Sequence, residues 1–385
     1  MEWIDRYLKE QESSHLLRTL RRLEKGKEGH ILLEGRELLD LSSNDYLGLA
    51  SHPSLLEASR RAAEEYGTSS SASRLMSGDL VIHHHLEESV AAFKGKEAAL
   101  VFGSGFLANI GLIPALCDKA DAVFSDRLNH ASIIDGTLLS GAELFRFRHN
   151  EVDHLEALLK KERAKFKKAL IVVETIYSMD GDRPPLKEIV ELKNKYDCFL
   201  MVDEAHATGI FGSGGSGIVE EEGLTGEVEV IMGTFGKALG SYGAYVAASR
   251  KMIDYLVNRA RSFIYSTALP PSVIGANLAA LEVVRREPSR RKDLLKRVAD
   301  FRDLLNRRGF RTIGSSQIVP VLIGDNEKTI RLAGRLREQA IFALPMRPPT
   351  VPRGGERIRF SVTWHHSKEQ LEGVAEALKN VSDGI

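Results

Sequence analysis

Apolar positions in the first two dozen residues recur at helical spacing: Trp3, Ile4, Tyr7 and Leu8, then Leu16, Leu17, Leu20 and Leu23. This pattern predicts an N-terminal helical arm. Two short apolar runs about Glu34-Gly35 follow and predict a small hairpin. From about residue 51 to 281 the rhythm changes, and short β-rich runs alternate with longer helical stretches. The predicted strands are 98–102, 122–125, 144–147, 170–174, 199–203, 228–232 and 244–248. Several are apolar without alternation, as expected of strands covered by helices on both faces of a mostly parallel sheet. Beyond Pro288, charged helical stretches (290–308 and 328–339) separate predicted strands 318–323 and 357–362, with 347–353 as a Pro-rich loop. The expected organisation is an arm over residues 1–50, a large α/β domain over 51–286 and a small α+β domain over 287–385.

Composition narrows the function classes. The 53 basic and 53 acidic side chains cancel, so no global field draws the chain to nucleic acid or to an anionic membrane. No apolar stretch approaches the roughly 20 residues needed to cross a bilayer. The acidic start, Met1-Glu-Trp-Ile-Asp, does not read as a signal peptide. The expectation is a cytoplasmic protein with neither nucleic acid nor membrane as partner. Cys117 and Cys198 offer neither a disulfide framework nor a metal knuckle and read as reduced packing residues. The run His83-His84-His85 lacks ligand spacing, because consecutive side chains point in different directions on a helix; no metal site is expected there.

In open α/β sheets, ligands collect beyond the carboxyl ends of the strands. Several predicted strands end in polar residues there: Gly103-Ser-Gly-Phe-Leu-Ala-Asn109, Asn129-His130, Glu174 to Asp180, Asp203-Glu-Ala-His206 and Gly233-Thr-Phe-Gly-Lys237. Lys237 follows a buried strand between Gly236 and Ala238, and a lysine in a desolvated cleft is a good amine nucleophile. A Walker phosphate loop is ruled out, since Ile231 stands where its first glycine belongs and Ala238 where Ser or Thr is needed. Asp203 closes an apolar strand, where a carboxylate is costly unless it caps the next turn or meets a cation. A protonated pyridine nitrogen would be such a cation. The glycine-rich turn at 103–105 opens a helix, whose first N–H groups suit a phosphate.

These tracts, with Ser43-Asn-Asp-Tyr-Leu-Gly-Leu49, Ser73-Arg-Leu-Met-Ser-Gly78, Asp126-x-x-x-His130-Ala-Ser132, Glu174-x-x-x-Ser178-Met-Asp-Gly-Asp182 and Tyr265-Ser-Thr-Ala268, resemble the α-oxoamine synthases. The resemblance runs in order from about Leu20 to the C-terminal region. It implies the fold type I of pyridoxal 5′-phosphate (PLP) transferases and a homodimer with active sites at the subunit interface. It also implies the joining of an amino acid to an acyl thioester with loss of CO₂. By position it makes Lys237 the Schiff-base lysine, sets His130 over the cofactor ring and pairs Asp203 with the pyridine nitrogen and His206 with the phenolic oxygen. Ser178 and Thr234 become cofactor contacts, and the Gly105 and Phe106 N–H groups help to hold it. Thr267 reaches the phosphate from the partner subunit. Arg359 and Asn44 are expected to hold the amino-acid carboxylate, together with His130.

Met346-Arg-Pro-Pro-Thr-Val-Pro352 resembles the branch that condenses L-alanine with a pimeloyl thioester, which makes Arg21, Arg347 and Thr350 the acyl contacts. Members using glycine with acetyl- or succinyl-CoA are the alternative. Two departures from the family pattern, Ala207 in His206-Ala-Thr-Gly and the glycine-rich run 211–217, bear on loop conformation and remove no catalytic side chain.

Overall fold

The computed structural model describes residues 1–382. Its contacts divide the chain into two units: Leu49–Ser178 with Arg183–Arg291, and Met1–Gly48 with Met179–Asp182 and Lys292–Ile385.

The first unit is built on a seven-stranded sheet. Its spatial order is Ala98–Phe102, Ala244–Ala248, Val230–Thr234, Phe199–Asp203, Ala169–Glu174, Ala122–Asp126 and Glu143–Phe147. The pairs among the last five are parallel, and Ala244–Ala248 runs antiparallel to both of its neighbours. The central strands are buried along their whole length, which is why their sequences read as continuous apolar runs. One sheet face packs on Leu112 and Ile113 of the helix Gly105–Leu116, together with Ile253, Leu256 and Phe263.

One predicted strand is displaced. Residues 228–232 give way to Val230–Thr234, because the N–H groups of Glu227 and Val228 close a turn onto the Leu224 carbonyl. The strand instead continues through Gly233, which pairs with Tyr245. A Cβ there would sit 2.2 Å from the Tyr245 hydroxyl, so a residue that reads as a loop glycine is required by close packing.

In the second unit the N-terminal helix is shorter than expected. It spans Glu2–Ser13 and buries no side chain, and His15 turns to positive φ. Leu23 belongs to a strand, Leu23–Lys25, that adds to the hairpin His30–Leu33/Arg36–Asp40. Glu34 and Gly35 both take positive φ, the conformation of a two-residue hairpin turn. Residues 1–50 were expected as a separate arm. Of these, Met1–Gly48 group with the C-terminal segment, where Arg36–Asp40 pairs in parallel with Ile341–Phe342. A second small sheet has the order Ile318–Leu322, Arg357–Ser361, Leu344–Met346, and the helices Asn326–Glu338 and Lys368–Ser382 contact each other.

An ion pair with neither side chain exposed anchors the loop after Phe199–Asp203. Lys94, ending the helix Val81–Lys94, reaches Glu204 at 2.7 Å, Thr208 at 3.2 Å and the Ser216 carbonyl. The Glu204 carboxylate also accepts the Val219 N–H at 3.0 Å. Gly217, at φ +140°, passes so close that a Cβ would lie 2.2 Å from that carboxylate. The glycines of 211–217 therefore let the loop wrap a buried charge. Removing one partner of such a pair strands the other. Lys94→Met should lower stability by about 3–5 kcal/mol, and adding Glu204→Gln should recover part of the loss. The midpoint of chemical denaturation is the measurement that checks this.

Candidate active site

Polar residues from five loops meet at the carboxyl edge of the parallel strands. They line a cavity of about 160 Å³ whose walls include Lys237, His206, Asp203, Glu174, His130 and Asn109. Seven of the expected site residues share this lining: Lys237, His206, Asp203, His130, Thr234, Gly105 and Phe106. Ser178 and Thr267 lie outside it; Thr267 forms an antiparallel bridge with Ser73.

The local chemistry follows from the strand ends. The Lys237 amine stands 2.7 Å from His206 Nε2. Asp203, 5% exposed, accepts the Ala205 N–H at 2.9 Å and Asn109 Nδ2 at 3.1 Å. Glu174 is its direct partner across the two parallel strands and is 3% exposed. The Glu174 carboxyl accepts the His130 N–H. Burial, reinforced by the Asp203 carboxylate, pushes Glu174 up to about 8 against the opposing pull of Lys237. Part of His130 reaches solvent, yet desolvation holds its ring below the usual histidine value; Asp203 pulls upward and Lys237 downward. His130 Nδ1 lies 2.8 Å from Ser132 Oγ. Thr234 donates its hydroxyl to the Gly243 carbonyl at 2.8 Å and accepts the Gly236 N–H, which fixes the start of the lysine loop.

These residues fit PLP. The helix Gly105–Leu116 is capped by Ser104, whose hydroxyl takes the Leu107 N–H and whose carbonyl takes that of Ala108. The N–H groups of Gly105 and Phe106 precede the first helical bond and suit a phosphate. Lys237 supplies an amine for an aldehyde, and the buried Asp203 supplies a carboxylate for a pyridinium. Asn109 Oδ1, fully buried and without a hydrogen-bond partner, lies in the same wall.

Apart from His130, the expected substrate residues lie in the second unit. Arg359 is buried on the strand Arg357–Ser361 and reaches Ser361 Oγ at 2.6 Å, Tyr46 Oη at 3.2 Å and Asn44 Oδ1 at 3.4 Å. Three oxygens thus aim one guanidinium fork. Arg21 lies over the Phe342 ring at 5.8 Å, Arg347 donates to the His15 carbonyl, and Thr350 accepts from Arg18 at 3.2 Å. Arg21 and Arg347 are depressed by burial and then by neighbouring arginines: Arg337 for Arg21, and Arg18 with Arg21 for Arg347. In the His83–His85 run, His83 is buried between the Leu80 and Leu269 carbonyls within a helix.

Sequence reasoning did not assign roles to Glu174, Asn109, Ser132 or Tyr46. Asn109 carried a signal in its position, four residues after Gly105 on one helix and so on the same face. Ser132 lies two residues beyond His130, within the same motif.

Comparison with known proteins finds relatives over nearly the whole chain. The family model for aminotransferase class I and II matches residues 36–378. An 8-amino-7-oxononanoate synthase of Geobacter metallireducens is 48% identical over 373 residues, covering 96% of this chain and 95% of its own. Among solved structures, the serine palmitoyltransferase of Sphingomonas wittichii superposes with a TM-score of 0.94 at 30% identity, over 99% of this chain and 97% of that one. An 8-amino-7-oxononanoate synthase from Francisella tularensis gives 0.78 at 28% identity, over 89% and 97%.

A carboxyl whose folded pKa is raised binds its proton more tightly in the folded state than in the unfolded one. Stability is therefore lost as pH rises from the model-peptide value of 4.5 to about 8. Glu174→Gln should remove that slope, so that its melting temperature gains on wild type across this window and holds a constant lead above it. Parallel thermal melts of the two cofactor-free proteins from pH 5 to pH 9 measure the difference.

Proposed function

The chain belongs to the aminotransferase class I and II family and, within it, to the α-oxoamine synthases, and from that premise we propose that it condenses L-alanine with a pimeloyl thioester. The products are 8-amino-7-oxononanoate, CO₂ and the free thiol carrier, a step of biotin biosynthesis. The observation that carries the reading is the joint presence, in one cavity, of a lysine amine, a buried carboxylate and a helix N-terminus. The relatives that share nearly the full length of the chain support the substrate pair.

PLP, the enzyme's cofactor, supplies the electron sink that stabilises negative charge at the amino-acid Cα and lets CO₂ depart. The protein residues supply the rest. Lys237 would hold the cofactor through its Nζ, and its free amine would take the Cα proton of the amino acid at that same nitrogen. Asp203, held in place by the Asn109 and Ala205 donors, would pair with the ring nitrogen. His206, 2.7 Å from the amine, orients Lys237 and would meet the phenolic oxygen. His130 would cover the ring, Ser178 and Thr234 would contact the cofactor, and Gly105, Phe106 and Thr267 of the partner subunit would hold its phosphate. Arg359 and Asn44 grip the alanine carboxylate. Arg21, Arg347 and Thr350 receive the distal carboxylate of the acyl chain. The reading takes the enzyme as a cytoplasmic homodimer; among the described residues no helix is long and apolar enough to cross a membrane.

Borohydride reduction followed by peptide mass mapping should locate the cofactor on Lys237, and Lys237→Ala should abolish both that adduct and the visible absorption band. Incubation of the loaded enzyme with L-alanine and pimeloyl-CoA should release free thiol and an amino ketone of the 8-amino-7-oxononanoate mass. A preference for glycine with acetyl- or succinyl-CoA would overturn the substrate assignment. Arg359→Lys loses the two-pronged grip and should raise the KM for alanine at least tenfold, about 1.4 kcal/mol, with a smaller effect on kcat. Steady-state kinetics at saturating acyl thioester checks this split.

A further inference from the structure

Asp203 and His130 are joined by two side chains, Asn109 and Ser132; the reaction described above uses Asn109 only to hold Asp203 and gives Ser132 no part. Asn109 Nδ2 donates to Asp203 Oδ2 at 3.1 Å and to Ser132 Oγ at 2.9 Å. Ser132 Oγ lies 2.8 Å from His130 Nδ1, and the Ser132 backbone N–H donates to that same nitrogen at 3.3 Å. Ser132 is 0% exposed and Asn109 1%.

The direction of each hydrogen bond can be worked out from its neighbours. Asp203 offers only acceptor oxygens on this side, so the Asn109 amide must turn its nitrogen towards it. That orientation spends the other Asn109 hydrogen on Ser132 Oγ. A backbone N–H cannot reverse, so the Ser132 N–H requires a lone pair on His130 Nδ1. The Ser132 hydroxyl, already an acceptor for Asn109, then donates its own hydrogen to that lone pair. With Nδ1 committed as a double acceptor, the proton of a neutral ring resides on Nε2.

We infer that Ser132 and Asn109 are positioning residues that hold His130 as the neutral Nε2–H tautomer and tie its orientation to the Asp203 carboxylate. The inference rests on the proposed reaction, in which His130 meets both cofactor and amino acid. A neutral Nε2–H gives the site a hydrogen-bond donor without adding a cation beside Lys237. The titratable groups facing the ring are Asp203 and Glu174 from the strand ends, Lys237 and His206 from the loops, and Asp135 from its own helix. Two donors aimed at Nδ1 oppose protonation there, so deleting one raises the affinity of the ring for a second proton.

The test uses the PLP-loaded enzyme with ¹⁵N-labelled histidine, the His130 signals being assigned by their loss in His130→Asn. Wild type should show a neutral ring protonated on Nε2 at pH 7. Ser132→Ala should mix the tautomers and raise the His130 titration midpoint by about one pH unit, whereas Ser132→Thr should restore both. Asn109→Leu should act in the same direction as Ser132→Ala, because it frees Ser132 Oγ to accept from the ring. A wild-type ring protonated on Nδ1, or doubly protonated at pH 7, overturns the inference without any variant. So does a folded Ser132→Ala protein with unchanged tautomer and midpoint. The measurement needs no substrate, so an intact tautomer in an enzyme that makes no amino ketone would sink the reaction and leave the positioning role standing.

Discussion

Two carboxyl groups finish neighbouring parallel strands as direct partners, and the site is organised around the fact that both cannot be charged cheaply. Glu174 and Asp203 are buried and in register. Like charges at this separation repel strongly in a medium of low polarity. Burial, with the Asp203 carboxylate beside it, raises Glu174. Asp203 collects a side-chain amide and a backbone N–H, while the Glu174 carboxyl accepts the His130 backbone N–H and is driven up to about 8. In the proposed reading one strand end offers a carboxylate to the cofactor's ring nitrogen, and its neighbour is a proton-bearing group that anchors the loop carrying His130.

That asymmetry reaches beyond the cavity through the backbone. Glu204, next to Asp203, turns away from the site into the fully buried pair with Lys94. The strand end is therefore fastened on both sides: Asp203 by Asn109, Glu204 by Lys94 and the Val219 N–H. His206 lies between these anchors and Thr208, whose hydroxyl bonds Tyr245 at 2.8 Å. A histidine that must present Nε2 to a lysine amine gains its aim from this frame, because each residue near it is held by a bond that burial makes costly to break.

Much of this was legible in the sequence, and for a physical reason. The sheet strands are apolar runs bounded by glycine or polar residues, since both faces are covered, and the polar residues at their ends fall at one edge because parallel strands all point the same way. Three features resisted reading. The helical spacing of Leu16 and Leu20 persists after the helix has ended at Ser13, since hydrophobic period alone does not stop a helix that has no packing partner. Gly233 looked like a loop residue because the reason for its glycine, the Tyr245 hydroxyl, lies on another strand. Glu174, Asn109 and Ser132 are linked to their long-range partners across 23 to 94 positions of chain, and the local signals of Asn109 and Ser132 do not name those partners.

The antiparallel strand Ala244–Ala248 shows how one departure from a parallel sheet serves the chemistry. A parallel connection would carry the chain away from the carboxyl edge through a crossover of a dozen or more residues. Here the chain turns back at once, and residues 235–243 form a short loop pinned at both ends. The Gly243 carbonyl accepts both the Thr234 hydroxyl and the Phe235 N–H, Ser241 donates to the Phe235 carbonyl, and Gly240 donates to that of Lys237. Lys237 therefore rides on a tight turn above the strand ends and not on a long mobile segment. The role proposed for the Lys237 amine would need side-chain freedom on a fixed backbone. The reversed strand supplies the fixed backbone, and the four methylenes of the lysine supply the reach.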